Sequence, residues 1–452
     1  MLRALSRVLA RPSGTARACV LVVLLGATGV AILELVREQT GTAGFFVGLG
    51  LALLPVPPLM AAFRWLGRAA PGPWRQPLLC FGWGACTAAL IAILANSFAT
   101  EWMAEAADPS AADLLGSVAV APVVEECAKA AALCAVFAFR RPPYAGPPYA
   151  GPPYAGPPYA GAADGFVLAG FTATGFAFTE NILYLGNAFE EDLAKGTGVL
   201  DSVTAATFFV RVVLSPFAHP LFTVLTGLGF GAAALSARRS RRTGLPLLGL
   251  ALAMAAHALW NGSSHLGEYG FYWVYGCVMV PVFGLLLWLA VRMRRERLRA
   301  VAAELSVYAA AGWIGPAEVP ALASMPARSL ARALARGSGG RPAARAVSRY
   351  AADAAALALL RRHARYAGPD GDPGFAGRER ELLHRLWLRR GTAAPVLARA
   401  AVLEELLPPC SAPPAGSRAR HARPAAPDLP AAPFAPAAVP APRRPEFSAA
   451  RG

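Results

Sequence analysis

The chain has 452 residues, of which 56% are hydrophobic and only 15% are charged. Soluble domains carry about 25% charged residues, so this composition excludes an ordinary soluble protein and a wholly disordered one. The net charge of +16 comes almost entirely from arginine. It indicates a GC-rich genome and basic cytoplasmic loops, and we therefore expect no nucleic-acid partner.

Long apolar segments recur along the first two thirds of the chain. A helix needs about 20 apolar residues to cross the hydrocarbon core of a bilayer. Eight segments approach or exceed this length: 18–36, 43–63, 78–98, 114–139, 166–185, 205–235, 245–260 and 272–291. The sixth contains Arg211, Pro216 and Pro220, so we expect it to enter the bilayer near Ser215. The predicted fold is all-α and polytopic, with about eight transmembrane helices.

The loops between these segments alternate in charge. Arginines lie before the first segment and after the second, fourth, sixth and eighth, whereas the loops around 101–113 and 190–201 are acidic. Basic loops stay in the cytoplasm. We therefore predict a multi-pass protein of the plasma membrane with both termini cytoplasmic.

Composition also divides the chain into regions. A basic N-terminus, 1–17, precedes the membrane domain 18–291, whose fourth loop holds four copies of PPYAG at 142–161. Residues 292–407 are rich in Arg and Ala with helical patterns. From 408 to 452 Pro and Ala dominate, which is typical of disorder. We expect a cytoplasmic tail that is partly helical and partly disordered.

Ionisable side chains lie inside several predicted spans. A charged residue near the bilayer centre costs roughly 2.5 to 3.5 kcal/mol. Such groups therefore indicate an internal functional site. The candidates are Glu125, Glu126, Lys129, Glu180, His219 and His257, with Asn181 and Asn261 beside them.

Helical spacing groups some of these candidates. Glu125 and Lys129 are four residues apart and can pair, which leaves Glu126 about 100° around the helix and available. His257 and Asn261 share a face in the same way. Counting about 1.5 Å of rise per residue places Glu180, His219 and His257 roughly 6 to 12 Å inside the outer boundary and Glu125 and Glu126 somewhat deeper, at ~16 Å, so the site should open outward.

Four short motifs resemble a known family. EECAK, FAFTEN, a histidine beside a proline at the entry of a span, and HALWN follow one another on separate spans. In type and order they are similar to the motifs of the PrsW family of intramembrane proteases, relatives of the CAAX-protease and bacteriocin-processing enzymes. The resemblance covers roughly 114–288. It implies an endopeptidase that cleaves a single-span membrane protein, such as an anti-sigma factor, near the outer face of the bilayer.

Two mechanisms are compatible with these residues. In one, Glu125 or Glu126 takes a proton from water that Glu180 helps to position, while His219, His257 and Asn261 donate to the oxyanion. In the other, His219, His257 and Glu180 hold Zn²⁺ and Glu126 is the base. The family is classed with the metalloproteases, but the chain has no HExxH motif, so both mechanisms stay open. Lys129 and Asn181 would support the site.

Simpler explanations exist for individual residues. Glu125 and Lys129 could form a purely structural ion pair. Asn261 could cap the end of its helix, and His219 could be a residue of the membrane interface. For the whole protein, a proton-coupled transporter also needs intramembrane Glu and His, but the internal repeat typical of transporters is not evident. A non-catalytic membrane scaffold is the third alternative.

Overall fold

The computed structural model describes residues 14–106, 109–138, 161–198, 201–236, 238–367 and 374–406. Most of the basic N-terminus, nearly all of the PPYAG repeat and the Pro/Ala-rich tail lie outside these residues. Every regular element in the described part is helical, as predicted. Short π-helical segments interrupt or join the helices at four places, namely Trp83–Ala88, Gly116–Val120, Phe209–Leu214 and Tyr275–Met279.

The α-helices are numbered here in chain order. They are α1 (Gly14–Leu53), α2 (Val56–Gly67), α3 (Arg75–Gly82), α4 (Ala89–Ala106), α5 (Pro109–Leu115), α6 (Ala121–Ala138), α7 (Ala162–Lys195), α8 (Val203–Phe208), α9 (Ala218–Ala234), α10 (Arg239–Gly262), α11 (Gly270–Val274), α12 (Val280–Ala310), α13 (Glu318–Ala323), α14 (Met325–Ala367) and α15 (Phe375–Leu406).

Six helical stretches in the described residues are long and apolar enough to cross a membrane. They are Cys19–Gly67, Arg75–Met103, Ala162–Lys195, Val203–Ala234, Arg239–His265 and Gly270–Ala310. The predicted number of eight is not confirmed. The first two predicted spans fall within one stretch, and the helix at 114–139 does not qualify because it carries Glu125, Glu126 and Lys129.

Gly41 breaks the first of these stretches. Its φ of 67° lies in the left-handed region, which only glycine adopts at little cost, and it ends the helical geometry between the two predicted spans. Beyond the break, Gly44 lies against Gly186 and Gly67 lies against Val167. The second part of the stretch therefore runs antiparallel to α7.

The long helix α7 is the most buried of the six stretches. Small residues allow its neighbours to approach closely. A Cβ on Gly165 would lie 1.8 Å from the carbonyl oxygen of Gly227 in α9, so this crossing brings the two backbones into contact. The approach fixes α7, which carries Glu180, against α9, which carries His219.

The predicted sixth span begins irregularly, near the expected residue. A short helix, α8, leads into the π-helical segment Phe209–Leu214, and Ser215 ends it with φ −126° and ψ 37°. The Ser215 hydroxyl donates to the Val210 carbonyl oxygen at 2.6 Å. Helix α9 then starts at Ala218, which places His219 in its first turn.

The last four helices form a second apolar core. Helix α12 continues from its apolar stretch to Ala310, and α13 to α15 pack against that extension around Leu305, Tyr350, Leu357 and Leu397. The helices expected in 292–407 are thus present. An ion pair of 2.6 Å between Arg297 and Asp164 connects α12 to the first turn of α7.

Candidate active site

The predicted site residues come from four helices that converge inside the bundle. Glu125, Glu126 and Lys129 lie on α6, Glu180 and Asn181 on α7, His219 on α9, and His257 and Asn261 on α10. Helix α6 follows the π-helical segment Gly116–Val120 directly, and Pro122 in its first turn has no N–H to donate. The regular hydrogen-bond ladder is thus interrupted beside the two glutamates.

The ammonium of Lys129 lies at the centre of the polar cluster, fully buried. Its Nζ is 3.2 Å from Glu125 Oε2, 2.9 Å from Glu126 Oε1 and 3.1 Å from His219 Nδ1. Phe176 covers it, with the ring centroid 3.8 Å from Nζ. The expectation that Lys129 neutralises Glu125 alone needs correction, because three and four residues of separation both bring a flexible lysine within reach.

Glu180 binds the other side of the His219 ring. His219 Nε2 lies 2.6 Å from Glu180 Oε2. Because Lys129 can only donate to Nδ1, this network assigns the proton of His219 to Nε2 and leaves a lone pair on Nδ1. A carboxylate that fixes an imidazole in this way is typical of histidines that bind a metal through the opposite nitrogen.

His257 is enclosed but poorly satisfied. Its ring stacks on Phe222 at 4.8 Å, with an interplanar angle of 16°. The Nδ1 atom lies 3.3 Å from Glu126 Oε1, without the geometry of a hydrogen bond, and it has no hydrogen-bond partner among the described residues. Nε2 lies 3.8 Å from Glu125 Oε2. A buried imidazole with an unpartnered nitrogen needs an explanation, and a ligand would supply one.

Glu126 is the most enclosed carboxylate of the cluster, with no exposed surface. Besides Lys129, the hydroxyl of Thr223 donates to its Oε2 at 2.9 Å. Both oxygens are therefore engaged. Glu180 is different, because its side chain keeps 16% of its surface exposed and, among the described residues, no hydrogen bond reaches its Oε1.

Arg211 belongs to the site although the sequence pattern gave it no role. From the π-helical segment before α9, its guanidinium donates to Glu180 Oε2 and, at 2.8 Å, to the Asn181 side-chain oxygen. It also lies 3.9 Å from the ring centroid of Tyr184. The sequence does offer a signal, a basic residue inside a predicted span, but together with Pro216 and Pro220 it favours an interfacial turn.

Asn261 does not contact the carboxylates. Its side-chain amide donates to the backbone carbonyl oxygen of Ser117 at 3.0 Å and thereby ties α10 to the π-helical segment before α6. An oxyanion donor would have to give up this bond. The other predicted amide, Asn181, is held by Arg211. The structure therefore joins both amides to the site's framework.

A cavity of about 220 Å³ lies next to the cluster. His219, Arg211 and Asn181 line one part of it, and Ser215, Trp260 and Asn261 line another. Its wall combines apolar surface with a few polar groups, which is typical of ligand sites. Of the cluster's ionisable groups, His219 and Arg211 are the ones that reach this space.

Charges within the cluster do not balance. The carboxylates of Glu125, Glu126 and Glu180 face two permanent cations, Lys129 and Arg211. One negative charge is left over in a buried place, where an uncompensated charge is expensive. A proton, a protonated histidine or a bound cation would each compensate it.

One group of side chains in the described residues has the geometry of a metal site. Ligand atoms of Glu125, His219 and His257 all lie within 4.8 Å of one another. Two imidazoles and a carboxylate are a common donor set for catalytic Zn²⁺. The unpartnered nitrogen of His257 and the surplus negative charge also fit a cation. The grouping differs from the expected set, because Glu125 stands in the place assigned to Glu180.

Lys129 competes for the same atoms. Its ammonium already bonds Glu125 Oε2 and His219 Nδ1, and so contacts two of the three residues in this group. The donor types therefore fit a metal, and its binding requires Lys129 to shift toward Glu126. The Glu126 carboxylate can hold the shifted ammonium, because Lys129 Nζ already donates to Glu126 Oε1 at 2.9 Å.

Comparison with known proteins identifies a family for the part of the chain that contains the site. Residues 72–286 match the sequence model of the PrsW family intramembrane metalloproteases. No curated protein and no solved structure matches the chain. The matched region contains all eight predicted site residues and the cavity. Residues 72–286 thus constitute a PrsW family intramembrane metalloprotease domain, and the protein is a peptidase.

Proposed function

We propose that this peptidase cleaves a single-span membrane protein near the outer face of a bacterial plasma membrane. An anti-sigma factor, cut in regulated proteolysis, is the substrate class that we favour. One observation carries the proposal: ionisable side chains from four helices meet beside a cavity whose polar wall includes His219 and Arg211. An amide bond placed there would meet donors, an acceptor and little bulk water.

Glu125, His219 and His257 would hold the metal, for which we propose Zn²⁺. When bound, it polarises the carbonyl group and lowers the pKa of water. The chain's own residues do the rest. Glu180 orients His219 through Nε2, and Phe222 fixes the plane of His257 by stacking. Glu126 retains the ammonium of Lys129 close to the site.

Proton transfer would fall to Glu180 rather than to Glu126. Glu180 is partly exposed and has an oxygen without a hydrogen bond among the described residues, whereas both oxygens of Glu126 are engaged. A general base has to lie within hydrogen-bond reach of the water that it deprotonates. Arg211, which lines the cavity, holds the other Glu180 oxygen.

The position of the cavity favours cleavage near the outer face. Its lining includes Ser215, Ser263 and Ser264, at the ends of apolar stretches that the charge pattern places outside. A substrate helix would have to unwind there to present an extended backbone. The polar groups of the cavity would stabilise the exposed peptide bonds, which lipid cannot do.

The test is cleavage in reconstituted vesicles that contain a single-span substrate. Candidate substrates come from proteomics of membrane proteins shed by cells with the wild-type protein and missing with the His219→Ala variant. We expect wild-type vesicles to release the outer fragment and His219→Ala vesicles to release none, with equal insertion. Equal release from both would refute the proposal.

Metal analysis tests the ligand set separately. We expect Glu125→Gln and His257→Ala to lower the metal content of chelator-treated, zinc-reloaded protein by at least about tenfold, because each removes a direct ligand. Glu191→Gln, which changes an exposed glutamate outside the cluster, is the control, and its protein should reload. If Glu125→Gln binds zinc as well as the wild type, the assigned ligand set is wrong.

A further inference from the structure

Five arginines gather where two predicted spans leave the membrane. We call Arg64, Arg68, Arg294, Arg328 and Arg332 the arginine cluster. Arg64 and Arg68 end the second predicted span, Arg294 follows the eighth, and the other two begin α14. The cluster thus joins both parts of the molecule on the side predicted to be cytoplasmic, far along the chain from the catalytic residues.

The charges of the arginine cluster face one another. Arg64 is close enough to Arg68 and Arg332 to be repelled by both, and Arg294 is repelled by Arg68. Among the described residues no Asp or Glu forms an ion pair with any of the five. Such a concentration of positive charge is unfavourable by itself and attracts anions.

Arg328 is the buried member of the arginine cluster. It is only 8% exposed, and its guanidinium donates to the backbone oxygens of Leu322 at 2.7 Å and Ala69 at 3.0 Å. The remaining nitrogen, Nη2, is buried without a hydrogen-bond partner among the described residues. Burial, and after it the charge of Arg294, lower the pKa of Arg328 to about 10. An acceptor with negative charge would satisfy this group.

Two tryptophans place the cluster at the depth of lipid headgroups. The Arg64 guanidinium lies 3.5 Å from the ring centroid of Trp74, and that of Arg294 lies 4.0 Å from the centroid of Trp65. Both rings are exposed, at 45% and 39%. Exposed tryptophans at the ends of spans mark the membrane–water interface, where phosphodiester groups lie.

We propose that the arginine cluster binds the phosphate of an anionic phospholipid headgroup. Guanidinium groups bind phosphate oxygens through two parallel hydrogen bonds. Basic pockets between membrane helices on the cytoplasmic side are suited to such headgroups. A bound lipid would bridge α2, α12 and α14, and it would thereby hold the C-terminal helices against the membrane domain.

Native mass spectrometry of the full chain tests this site. The protein is purified in neutral detergent and mixed with equal amounts of phosphatidylglycerol and phosphatidylcholine. In the wild type we expect the phosphatidylglycerol complex to dominate. The Arg68→Gln/Arg332→Gln variant should lower the ratio of the two complexes by about tenfold, because charge-assisted contacts are lost. Both side chains are exposed, so the fold should survive.

The matched control is Arg239→Gln/Arg241→Gln. These arginines are also exposed and lie on the side predicted to be cytoplasmic. Replacing them removes the same charge and leaves the arginine cluster unchanged. We expect the wild-type lipid ratio. If the control lowers the ratio as much as the cluster variant, general electrostatics explains the binding and the proposal fails. Arg332→Gln alone serves if the double variant does not fold.

Thermal unfolding distinguishes a lipid from a free anion. Wild-type protein is melted with phosphatidylglycerol, with phosphatidylcholine and with inorganic phosphate at the same concentration. We expect phosphatidylglycerol alone to raise the melting temperature, and the cluster variant to lose this shift. Equal protection by inorganic phosphate would overturn the assignment to a lipid, and protection by phosphatidylcholine would overturn the assignment to a negative charge.

Discussion

The membrane cluster and the C-terminal helices bury carboxylates in two different ways. Glu304 and Glu318 in the C-terminal helices are each 2% exposed. Glu304 lies 3.0 Å from an Arg365 nitrogen and 3.7 Å from one of Arg361. Glu318 accepts from its own helix start, at Gly315 N, and from the Tyr350 hydroxyl at 2.6 Å. These buried acids are satisfied by their neighbours.

The membrane cluster lacks this balance. Its three carboxylates exceed its permanent cations, His257 Nδ1 has no hydrogen-bond partner in the described part of the chain, and His219 reaches a cavity. Burial of charge is common to both regions and so does not identify a site. Surplus charge, an unpartnered nitrogen and access to a cavity are the features that distinguish a reactive cluster from a structural one.

We expect the largest difference in the cleavage rate when one glutamate from each region is replaced. We expect Glu180→Gln to lower the cleavage rate by about 10²- to 10⁴-fold, because it removes the proposed proton acceptor. Glu304→Gln, the control, should lose stability and keep cleavage activity. Initial rates of substrate cleavage in vesicles at equal protein content measure both. The comparison breaks if Glu304→Gln is as inactive as Glu180→Gln, or if Glu180→Gln is active.

The only two lysines of the chain allow a second comparison, since each pairs with a glutamate four residues earlier. Lys129 is fully buried, whereas Lys195 and Glu191 are exposed by 60% and 44%. Lys129→Met should destabilise the protein by about 3–5 kcal/mol, because it leaves buried carboxylates uncompensated. Lys195→Met should cost no more than about 1 kcal/mol.

Denaturant unfolding in mixed micelles measures the two lysine variants. Added Zn²⁺ should restore part of the stability of Lys129→Met, since a divalent cation can replace the ammonium among the same ligands. If the two variants had the same free energy of unfolding, the buried contacts of Lys129 would contribute nothing to stability. The central role assigned to Lys129 in the cluster would then be wrong.

Arg211 tests whether a residue that only orients Glu180 affects catalysis differently from Glu180 itself. Arg211→Lys keeps the charge but loses the fork that reaches both Glu180 and Asn181. We expect kcat to fall by about 10- to 100-fold with little change in KM, as is typical of residues that orient a catalytic group. Arg239→Lys, on exposed surface, should match the wild type. A change in KM alone would instead make Arg211 a substrate contact.

The smallest expected effect concerns two buried threonines of α9. Thr223 donates to Glu126, whereas the Thr226 hydroxyl has no hydrogen-bond partner among the described residues. Thr223→Val should cost about 1–3 kcal/mol, because it leaves a buried carboxylate oxygen unpaired. Thr226→Val should be neutral or stabilising. Thermal unfolding checks the pair, and a larger loss for Thr226→Val would contradict the assigned network.

Much of the architecture was accessible without coordinates. Apolar segments and charged loops predict helices, and the ionisable residues inside them predict a site with Glu125, Glu126, Lys129, Glu180, His219 and His257. All six do meet. The count of spans was less accessible. The helix with Glu125 and Glu126 is apolar on average but carries three charged residues, and Gly41 divides an unbroken apolar run.

The sequence by itself determined the membrane class, the helices and the residue types of the site, because composition and helical periodicity are local properties. Only the tertiary structure decided which groups touch. It joined Glu125 with the two imidazoles, placed Glu180 behind His219, brought Arg211 to Glu180 and assembled the arginine cluster from three helices. Contacts between helices depend on how each helix is rotated about its axis and on how closely two helices approach. Glycine pairs such as Gly165 and Gly227 allow a close approach only when the helices are packed together.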